Sequence, residues 1–526
     1  MLVKIMKKNM LILITFFLGL AFVVYSWFSS FPLSINSIDD SLFNHISIFY
    51  WLGLPLLLTS MFLTVISVEN KFLKWMVTIG IVLTVYSLSF FYNTVPGVDE
   101  HAFRGLEENF IRSGSLTISS SIQEYYHWPL FFVFVKTATL ITGLELATFE
   151  FLIYGIIGFL LATGVYIYAS KKYPGRGSFA VIAFFMTMFY FLNFQAVPFS
   201  LAFGLLFILF FLTAEKLSTG LGFLILTLFL GITLTHAFVP FLFILYLFIR
   251  GIISKSRGYF ALFAGTLTIY SLVNMSIGQN FLFTLIEHVF EQSEFSSVIG
   301  YVFQPTVFQF DQIAQIFSRT VTVVFLLLCA AGFVFLAAKR KLRDMDKAVF
   351  LTGVFYYGIG LIYYVLGSRA IAIAFLPVSL GIIWLLESRF KRYFIYITLI
   401  LLVLFTFIPM HSSFNSTPIV FQTMEETQTA NFMIENYNWN SSGSLLAHVS
   451  TYSYILPQVK GDITFWTDYS QEFSEFSMED YNCIIYSLAL SRSILSKNIS
   501  TEGLVNNFNT VYNSGSSYIA LRSNLP

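Results

Sequence analysis

The chain has 526 residues, of which 57% are hydrophobic, 19% aromatic and only 11% charged, and its net charge is +1. Soluble domains carry about 25% charged residues, so a chain with so few charges cannot cover itself with polar surface. These values exclude a soluble enzyme, a nucleic-acid-binding protein and a disordered protein. Two cysteines, Cys329 and Cys483, exclude a disulfide framework and a cysteine-rich metal site. The composition therefore predicts a polytopic α-helical membrane protein.

Apolar runs of a length that can cross a bilayer recur along the first 410 residues. The first run follows three lysines but lacks a small-residue cleavage site, which favours a membrane anchor over a signal peptide. We predict about thirteen transmembrane helices, at 9–28, 48–67, 75–92, 147–169, 178–193, 199–214, 221–236, 237–250, 259–276, 319–338, 348–366, 370–386 and 394–410.

The apolar run 128–144 is ambiguous because Lys136 lies in its middle. If this run stays at the outer interface and the N-terminus is cytoplasmic, about 20 of the 29 basic residues fall on the cytoplasmic side. If the run spans, the basic clusters KKYPGR, KRKLR and RFKR face outward. The positive-inside rule therefore predicts that 128–144 does not span, and that the loops 93–127 and 277–318 are extracytoplasmic.

The last part of the chain, residues 411–526, is polar and acidic, with ten acidic residues against four basic ones. A capping-box pattern at 423–426 predicts a helix, and short apolar runs after it predict strands. We therefore predict three regions. These are additional N-terminal helices at 1–74, a transmembrane core at 75–410 with an outer catalytic loop at 93–146, and a small extracytoplasmic α/β domain at 411–526.

A cluster of ionisable residues follows the third predicted span. Asp99, Glu100 and His101 come after a Pro-Gly turn, in the sequence VDEHAF. Partial desolvation at a membrane surface raises the pKa of a carboxyl group, and such a carboxylate can accept a proton from a hydroxyl as a general base. A solvated loop with ordinary charges accounts for the same residues, and spacing alone does not decide between the two interpretations.

Three more residues on the predicted outer side are candidates for substrate binding. Arg369 is the basic residue between two spans at their outer end, where it either holds the phosphate of a lipid carrier or reaches the lipid headgroups as an anchor. His236, in THAFVP, either donates to a substrate oxygen or is a satisfied polar group in a helix corner. His127 shares the outer loop with His101, which is a candidate as well. Few charges lie within the spans, so no proton relay is evident.

Three features of the chain resemble the GT-C superfamily of integral-membrane glycosyltransferases. This superfamily includes protein O-mannosyltransferases, lipid A aminoarabinose transferases and the catalytic subunits of oligosaccharyltransferases. The features are an acidic residue early in the first large outer loop (VDEHAF), an aromatic segment with proline (YYHWPLFF), and two apolar helices joined by the basic turn SKKYPGRG. The C-terminal region is also similar to the outer cap of prokaryotic members.

The resemblance implies inverting transfer of a sugar from a polyprenyl-phosphate carrier to a hydroxyl of a glycan, lipid or protein, on the outer face of the plasma membrane. Asp99 would be the base, with Glu100 as the less favoured choice. Arg369, with His236 behind it, would stabilise the charge on the departing phosphate. The partners are thus the lipid-linked donor, the acceptor and membrane lipid, with no nucleic acid.

The sequence departs from the oligosaccharyltransferase branch in one loop. In that branch a second carboxylate in the next outer loop helps to hold a divalent metal, but NFQAVPFS at 193–200 has no acidic residue. This departure leaves a divalent metal doubtful and favours the metal-independent branch that uses monosaccharide donors, so no cofactor is predicted.

Two other functions remain open for a chain of this kind. O-antigen-type polymerases and ligases also have many spans, but they usually rely on outer-loop arginines, and the large loops here hold Arg104, Arg112 and the border residue Arg319. A lipid-carrier flippase or another transporter would not depend on Asp99. Without a P-loop motif in the sequence, transport driven by ATP is excluded for this chain alone.

Overall fold

A computed structural model describes residues 2–30, 46–67, 70–86, 98–116, 125–188, 197–275, 312–339, 341–360 and 373–383 of the chain. It also describes the shorter pieces 393, 395–398, 400–401, 429–434, 444–446, 464–466, 483–486, 508–513 and 518–522. The predicted site residue Arg369 lies outside these ranges.

Helices dominate the described residues, and most of them coincide with apolar runs of the sequence. In chain order they are α1 (Leu2–Ser30), α2 (Ile48–Ser67), α3 (Lys71–Tyr86), α4 (Val98–Ser113), α5 (Leu130–Thr142), α6 (Leu146–Lys172), α7 (Gly177–Met188), α8 (Pro198–Thr213), α9 (Thr219–Thr235), α10 (Val239–Ser254), α11 (Arg257–Asn274), α12 (Gln312–Ala338), α13 (Asp344–Gly360) and α14 (Ile373–Ile383).

Two of the described helices are long and apolar enough to cross a membrane. They are Asn9–Ser29 within α1 and Thr148–Lys171 within α6. The other apolar helical stretches, such as Ile48–Thr64 within α2 and Val323–Ala338 within α12, are 10–17 residues long in the described part of the chain. A helix needs about 20 residues to cross about 30 Å of hydrocarbon. The structure is thus that of a helical protein compatible with a membrane location, and it does not establish the thirteen predicted spans.

The centre of the helical bundle is built from aromatic rings that pack edge to face. Phe203, Phe207 and Phe210 recur on one face of α8, and all three are buried. The Phe207 ring meets Phe184 of α7 at 5.4 Å between centroids, and the Phe210 ring meets Tyr246 of α10 at 4.7 Å. Such edge-to-face pairs contribute beyond the area that they bury. They place α7, α8 and α10 around one core.

Small residues allow the first two helices to approach closely. A Cβ atom added to Gly53 of α2 would lie 2.7 Å from the carbonyl oxygen of Gly19 in α1. No real Cβ atom tolerates that distance from a backbone atom, so both positions require glycine. This is the type of contact by which helices associate when apolar burial cannot drive them together, as in lipid.

Hydrogen bonds between α3 and α6 show which end of the bundle each helix points to. Lys74 Nζ donates to the Gly175 carbonyl at 3.4 Å, and the Tyr166 hydroxyl donates to the Lys71 carbonyl at 2.7 Å. Here α3 begins and α6 ends, and we name this end of the bundle the Lys74 end. Because the two helices are antiparallel, α3 ends and α6 begins at the opposite end. The chain between them therefore leaves and returns on the same side.

Helices α4 and α5 belong to this intervening segment and pack against each other. Lys136 Nζ of α5 donates to the Phe110 carbonyl of α4 at 3.1 Å and lies 4.4 Å from the centre of the Phe110 ring. Helix α5 has 13 residues and so is about 20 Å long. It ends at Gly143, whose φ of 68° gives the left-handed C-cap that glycine adopts without strain.

The C-terminal region contains a five-stranded mixed sheet. Its strands are β1 (Ser444–Leu446), β2 (Thr464–Trp466), β3 (Cys483–Tyr486), β4 (Phe508–Asn513) and β5 (Tyr518–Arg522), in the spatial order β2-β1-β3-β5-β4. Strand β1 is parallel to β2 and β3, while β5 is antiparallel to β3 and β4. Of the helix predicted from residue 423, the described residues 429–434 are helical.

Candidate functional site

The acidic cluster after the third helix opens a helix of its own. Helix α4 begins at Val98, so Asp99, Glu100 and His101 occupy its first turn, where the sequence predicts an irregular loop. Acidic residues are favourable there because they face the positive end of the helix dipole. Asp99 stands one turn before Phe103 in the helix. The side chains at 98–102 lie outside the described part of the structure.

Helix α4 is amphipathic, and a glutamate interrupts its apolar stripe. Phe103, Leu106, Glu107 and Phe110 have the i, i+3, i+4, i+7 spacing of one helix face. Leu106 is fully buried, Phe110 is buried, and the Phe103 ring packs on Tyr125 with centroids 4.8 Å apart. Glu107 is 1% exposed. The same packing that holds α4 on the bundle thus removes a carboxyl group from water.

The partner of Glu107 is a second carboxyl group, that of Glu150 in the second turn of α6. Glu150 is 2% exposed, and the two side chains lie within hydrogen-bonding reach of each other. Neither oxygen of Glu107 receives a hydrogen bond from a donor among the described residues. Burial, and then the adjacent Glu150 carboxyl, raise the pKa of Glu107 well above the usual range for glutamate. Like charges this close do not both ionise readily.

A cation and a tyrosine lie beside this pair. Arg104 forms an ion pair with Glu108 at 3.4 Å, one turn along α4, and its charge opposes the rise in the pKa of Glu107. The Tyr126 hydroxyl donates to the Leu106 carbonyl at 2.7 Å and accepts from Asn109 Nδ2 at 3.3 Å. Burial raises the pKa of Tyr126 to about 12, so this hydroxyl remains protonated and ties its turn to α4.

A buried hydrogen bond joins Trp128, which follows the turn of Tyr126, to the last residue of α11. Trp128 Nε1 donates to Asn274 Oδ1, the last residue of α11, at 3.1 Å. A Cβ atom on Gly231, near the end of α9, would lie 3.8 Å from Leu130 at the start of α5. Helices α9 and α11 therefore end beside the α4–α5 segment. We name this end of the bundle the Trp128 end.

His236 follows α9 directly and so lies at the Trp128 end. Its Nδ1 accepts a hydrogen bond from the Phe238 backbone N–H at 3.1 Å, and its ring packs edge-on against Phe199 at 5.6 Å. This is the satisfied helix-corner position that was one of the two sequence interpretations. With Nδ1 acting as an acceptor, a neutral ring carries its proton on Nε2.

The other predicted site residues are only partly located by the structure. His127 is exposed in the turn 125–127, and its ring lies 6.3 Å from that of Trp128. His101 is in the first turn of α4, and Arg369 is outside the described residues. The structure thus brings α4, His127 and His236 to one end of the bundle, and it does not establish contacts between them.

Sequence reasoning missed Glu107 and Glu150, although both carried a signal. Glu107 interrupts an apolar stripe of helical period, and Glu150 lies in the apolar run TFEFLIYG of a predicted span. An ionisable residue inside such a run is by default a functional candidate. The inference from few charges in the spans overlooked that one of them, Glu150, could meet an acidic residue of the outer loop.

Comparisons with known proteins add no family to this description. No family model matches the chain, and no curated protein matches it either. Within the described residues, no group of three or more His, Cys, Asp or Glu side chains comes together as metal ligands. The functional assignment therefore rests on the site residues and the resemblance that they carry.

Proposed function

We propose that the chain is a multi-pass glycosyltransferase of the plasma membrane, with about thirteen transmembrane helices in a GT-C-like arrangement. Its N-terminus is cytoplasmic, and the domain at 411–526 is extracytoplasmic. It transfers a sugar from a polyprenyl-phosphate carrier to a hydroxyl of a glycan, lipid or protein on the outer face of the membrane.

The observation that carries this proposal is the position of α4 relative to the basic end of the bundle. Lys71 and Lys74 begin α3, and Lys171 and Lys172 end α6, so the positive charges gather at the Lys74 end. Helix α4, which begins with Asp99, belongs to a segment that starts and finishes at the opposite end. Positive charge marks the cytoplasmic side. The carboxylates of α4 are then extracytoplasmic, where a lipid-linked sugar and its acceptor meet.

In the proposed reaction, Asp99 accepts the proton of the acceptor hydroxyl as its oxygen attacks the anomeric carbon of the sugar. The new glycosidic bond forms as the bond from the anomeric carbon to the phosphate oxygen breaks, with inversion. The departing polyprenyl phosphate takes up negative charge, which Arg369 stabilises. His236 contributes a hydrogen bond from Nε2, and the exposed His127, with His101, contacts the substrate.

Mass spectrometry of envelope glycans and lipid-linked intermediates tests this proposal. A deletion strain is complemented with wild type, Asp99→Asn or Glu100→Gln at equal expression. We expect a glycan that lacks one sugar in the deletion and Asp99→Asn strains, with the sugar restored by wild type. Full restoration by Asp99→Asn would remove the base assignment. Full restoration by Glu100→Gln as well would move a flippase or transporter ahead.

The role of Arg369 is tested separately with Arg369→Lys. Lysine keeps the positive charge but not the two parallel N–H groups that bind phosphate. We expect donor use to weaken, seen as a raised KM for the lipid-linked donor in membranes. An unchanged KM would make Arg369 a membrane anchor and not a ligand of the phosphate.

A further inference from the structure

The carboxyl pair of Glu107 and Glu150 joins the helix that carries Asp99 to a long helix of the bundle. Both side chains are almost completely buried. Both oxygens of Glu107 and Oε2 of Glu150 are inaccessible to solvent, and none of these atoms has a hydrogen-bond donor within the described part of the chain. Buried polar atoms are nearly always hydrogen-bonded, so these oxygens need a proton that no described neighbour supplies.

One proton held between the two carboxyl groups meets this need. A protonated carboxyl donates to an ionised one in a short, charge-assisted hydrogen bond. Two ionised carboxylates at this site would repel each other in a medium of low dielectric constant. Aspartic proteases show that adjacent carboxyl groups can share a proton in this way.

We infer that Glu107 and Glu150 share one proton and act as positioning residues, which hold α4 on α6 and so fix the first turn that carries Asp99. The inference rests on the proposed function for its effect on transfer, but not for the existence of the shared proton. Loss of that proton would leave two negative charges between α4 and α6. The helix would then separate from the bundle at this point, and Asp99 would lose its place.

Other charged and titratable groups around the pair do not remove this requirement. On α4, Arg104 and Glu108 both act on the two carboxyl groups, with opposite sign, and they are paired with each other. The turn before α5 contributes Tyr126, which donates to the Leu106 carbonyl. On α5, Lys136 donates to the Phe110 carbonyl. The hydrogen bonds of Tyr126 and Lys136 are thus made to the α4 backbone.

The sign of the pH dependence follows from the direction in which burial moves the pKa. Burial raises the pKa of Glu107 above its value in the unfolded chain. Such a group stabilises the fold fully below the ordinary pKa of glutamate, and this contribution is lost as the pH rises through the higher folded value. A pKa that is higher by about one in the folded chain than in the unfolded chain changes the unfolding equilibrium about tenfold. The wild type should therefore lose stability on the alkaline side.

The test is thermal unfolding of the purified full-length protein in detergent, from about pH 5 to about pH 9. Glutamine at position 107 donates to Glu150 at every pH. We therefore expect the stability of Glu107→Gln to fall less over this pH range than that of wild type. The difference should be about tenfold or more in the unfolding equilibrium constant. Glu150→Gln is the reciprocal variant, in case the first does not fold. Glu145→Gln, which changes an exposed acid at the start of α6, is the matched control and should keep the wild-type slope.

A second readout connects the pair to transfer. We expect wild-type activity in membranes to fall at alkaline pH and Glu107→Gln to extend activity upward. Equal stability slopes for wild type, Glu107→Gln and Glu150→Gln would overturn the shared proton. If the slopes differ as expected but both pH–activity profiles are the same, the positioning role fails. If no transfer is found in any variant, the proposed function fails and the stability result still decides whether the proton is shared.

Discussion

The two ends of the bundle each bury a carboxyl group, and they satisfy it in different ways. At the Lys74 end, Asp346 is 1% exposed, and the Tyr168 hydroxyl donates to its Oδ1. The Arg343 backbone N–H donates to its Oδ2 at 2.9 Å, and Arg343 Nε lies 3.5 Å from the same oxygen. The Arg343 guanidinium also covers the Tyr168 ring at 3.9 Å. At the Trp128 end, Glu107 faces another acid.

The carboxyl group at the Lys74 end is stabilised by its neighbours, whereas the pair at the Trp128 end depends on a bound proton. A buried carboxylate with a hydroxyl, an N–H group and a guanidinium around it has partners that do not depend on a shared proton, and it holds three elements in place. A buried carboxyl that faces a second carboxyl is stable only while a proton is present. We therefore expect the Lys74 end to depend on side-chain identity and the Trp128 end to depend on pH.

The largest effect is expected from Asp346→Ala. This change removes the acceptor of the buried Tyr168 hydroxyl and of the Arg343 backbone N–H, and it removes the counterion of the partly exposed Arg343 guanidinium. Breaking a buried pair costs about 3–5 kcal/mol, and we expect a loss near the lower end of this range. The control is Asp344→Ala, nearby on the same helix, because its ion pair with Lys347 at 3.1 Å is 45% exposed on both sides. That pair is worth about 1 kcal/mol or less. Unfolding in detergent should separate the two variants. Similar losses of stability for both variants would show that the buried Asp346 contributes no more than the exposed Asp344.

A smaller effect is expected when both members of the outer pair are replaced by Glu107→Met and Glu150→Met. Apolar residues of similar volume remove the carboxyl groups and the need for a proton. Replacing buried charges in this way is often neutral or stabilising, by up to about 4 kcal/mol. We expect the double variant to match or exceed wild type at alkaline pH, measured by the same unfolding assay. A large loss of stability would show that the shared-proton bond persists at alkaline pH and stabilises the contact between α4 and α6.

The buried link between the Trp128 turn and α11 should contribute less again. Trp128→Phe keeps an aromatic ring but removes the donor to Asn274, which costs about 1–2 kcal/mol because the Asn274 oxygen loses this bond in a buried site. Trp75→Phe is the matched change at the Lys74 end, where Nε1 donates to Thr163 at 3.3 Å in a partly buried position. We expect its loss to be smaller. A loss for Trp75→Phe as large as that for Trp128→Phe, or larger, would show that burial does not control the strength of these two hydrogen bonds.

Much of the helical architecture could be predicted from the sequence, because length and apolar composition specify helices such as α1 and α6 with little help from tertiary contacts. The short apolar runs of the C-terminal region likewise coincide with strands. The order of those strands could not be predicted, because parallel pairs such as β1 and β3 need a crossover that no local pattern encodes.

The acid pair marks the same limit within the candidate site. The positions of Glu107 in an apolar stripe and of Glu150 in an apolar run are visible in the sequence. Their meeting depends on how α4 lies on α6, which only tertiary packing determines. The sequence did indicate Asp99 and His236, because each is a polar residue beside an apolar run. It could not show that His236 Nδ1 is already engaged by the Phe238 backbone.

The smallest effect is expected where charge is both paired and exposed. Lys171 near the end of α6 forms an ion pair with Glu215 after α8, and their side chains are 57% and 50% exposed. Solvent screens such a pair, so Lys171→Ala should cost about 1 kcal/mol or less, although it lies at the same end as Asp346. Thermal unfolding at low and high salt measures this, and we expect the small difference from wild type to shrink as salt rises. A loss as large as that of Asp346→Ala would mean that position along the bundle, and not burial, sets the value of a charge.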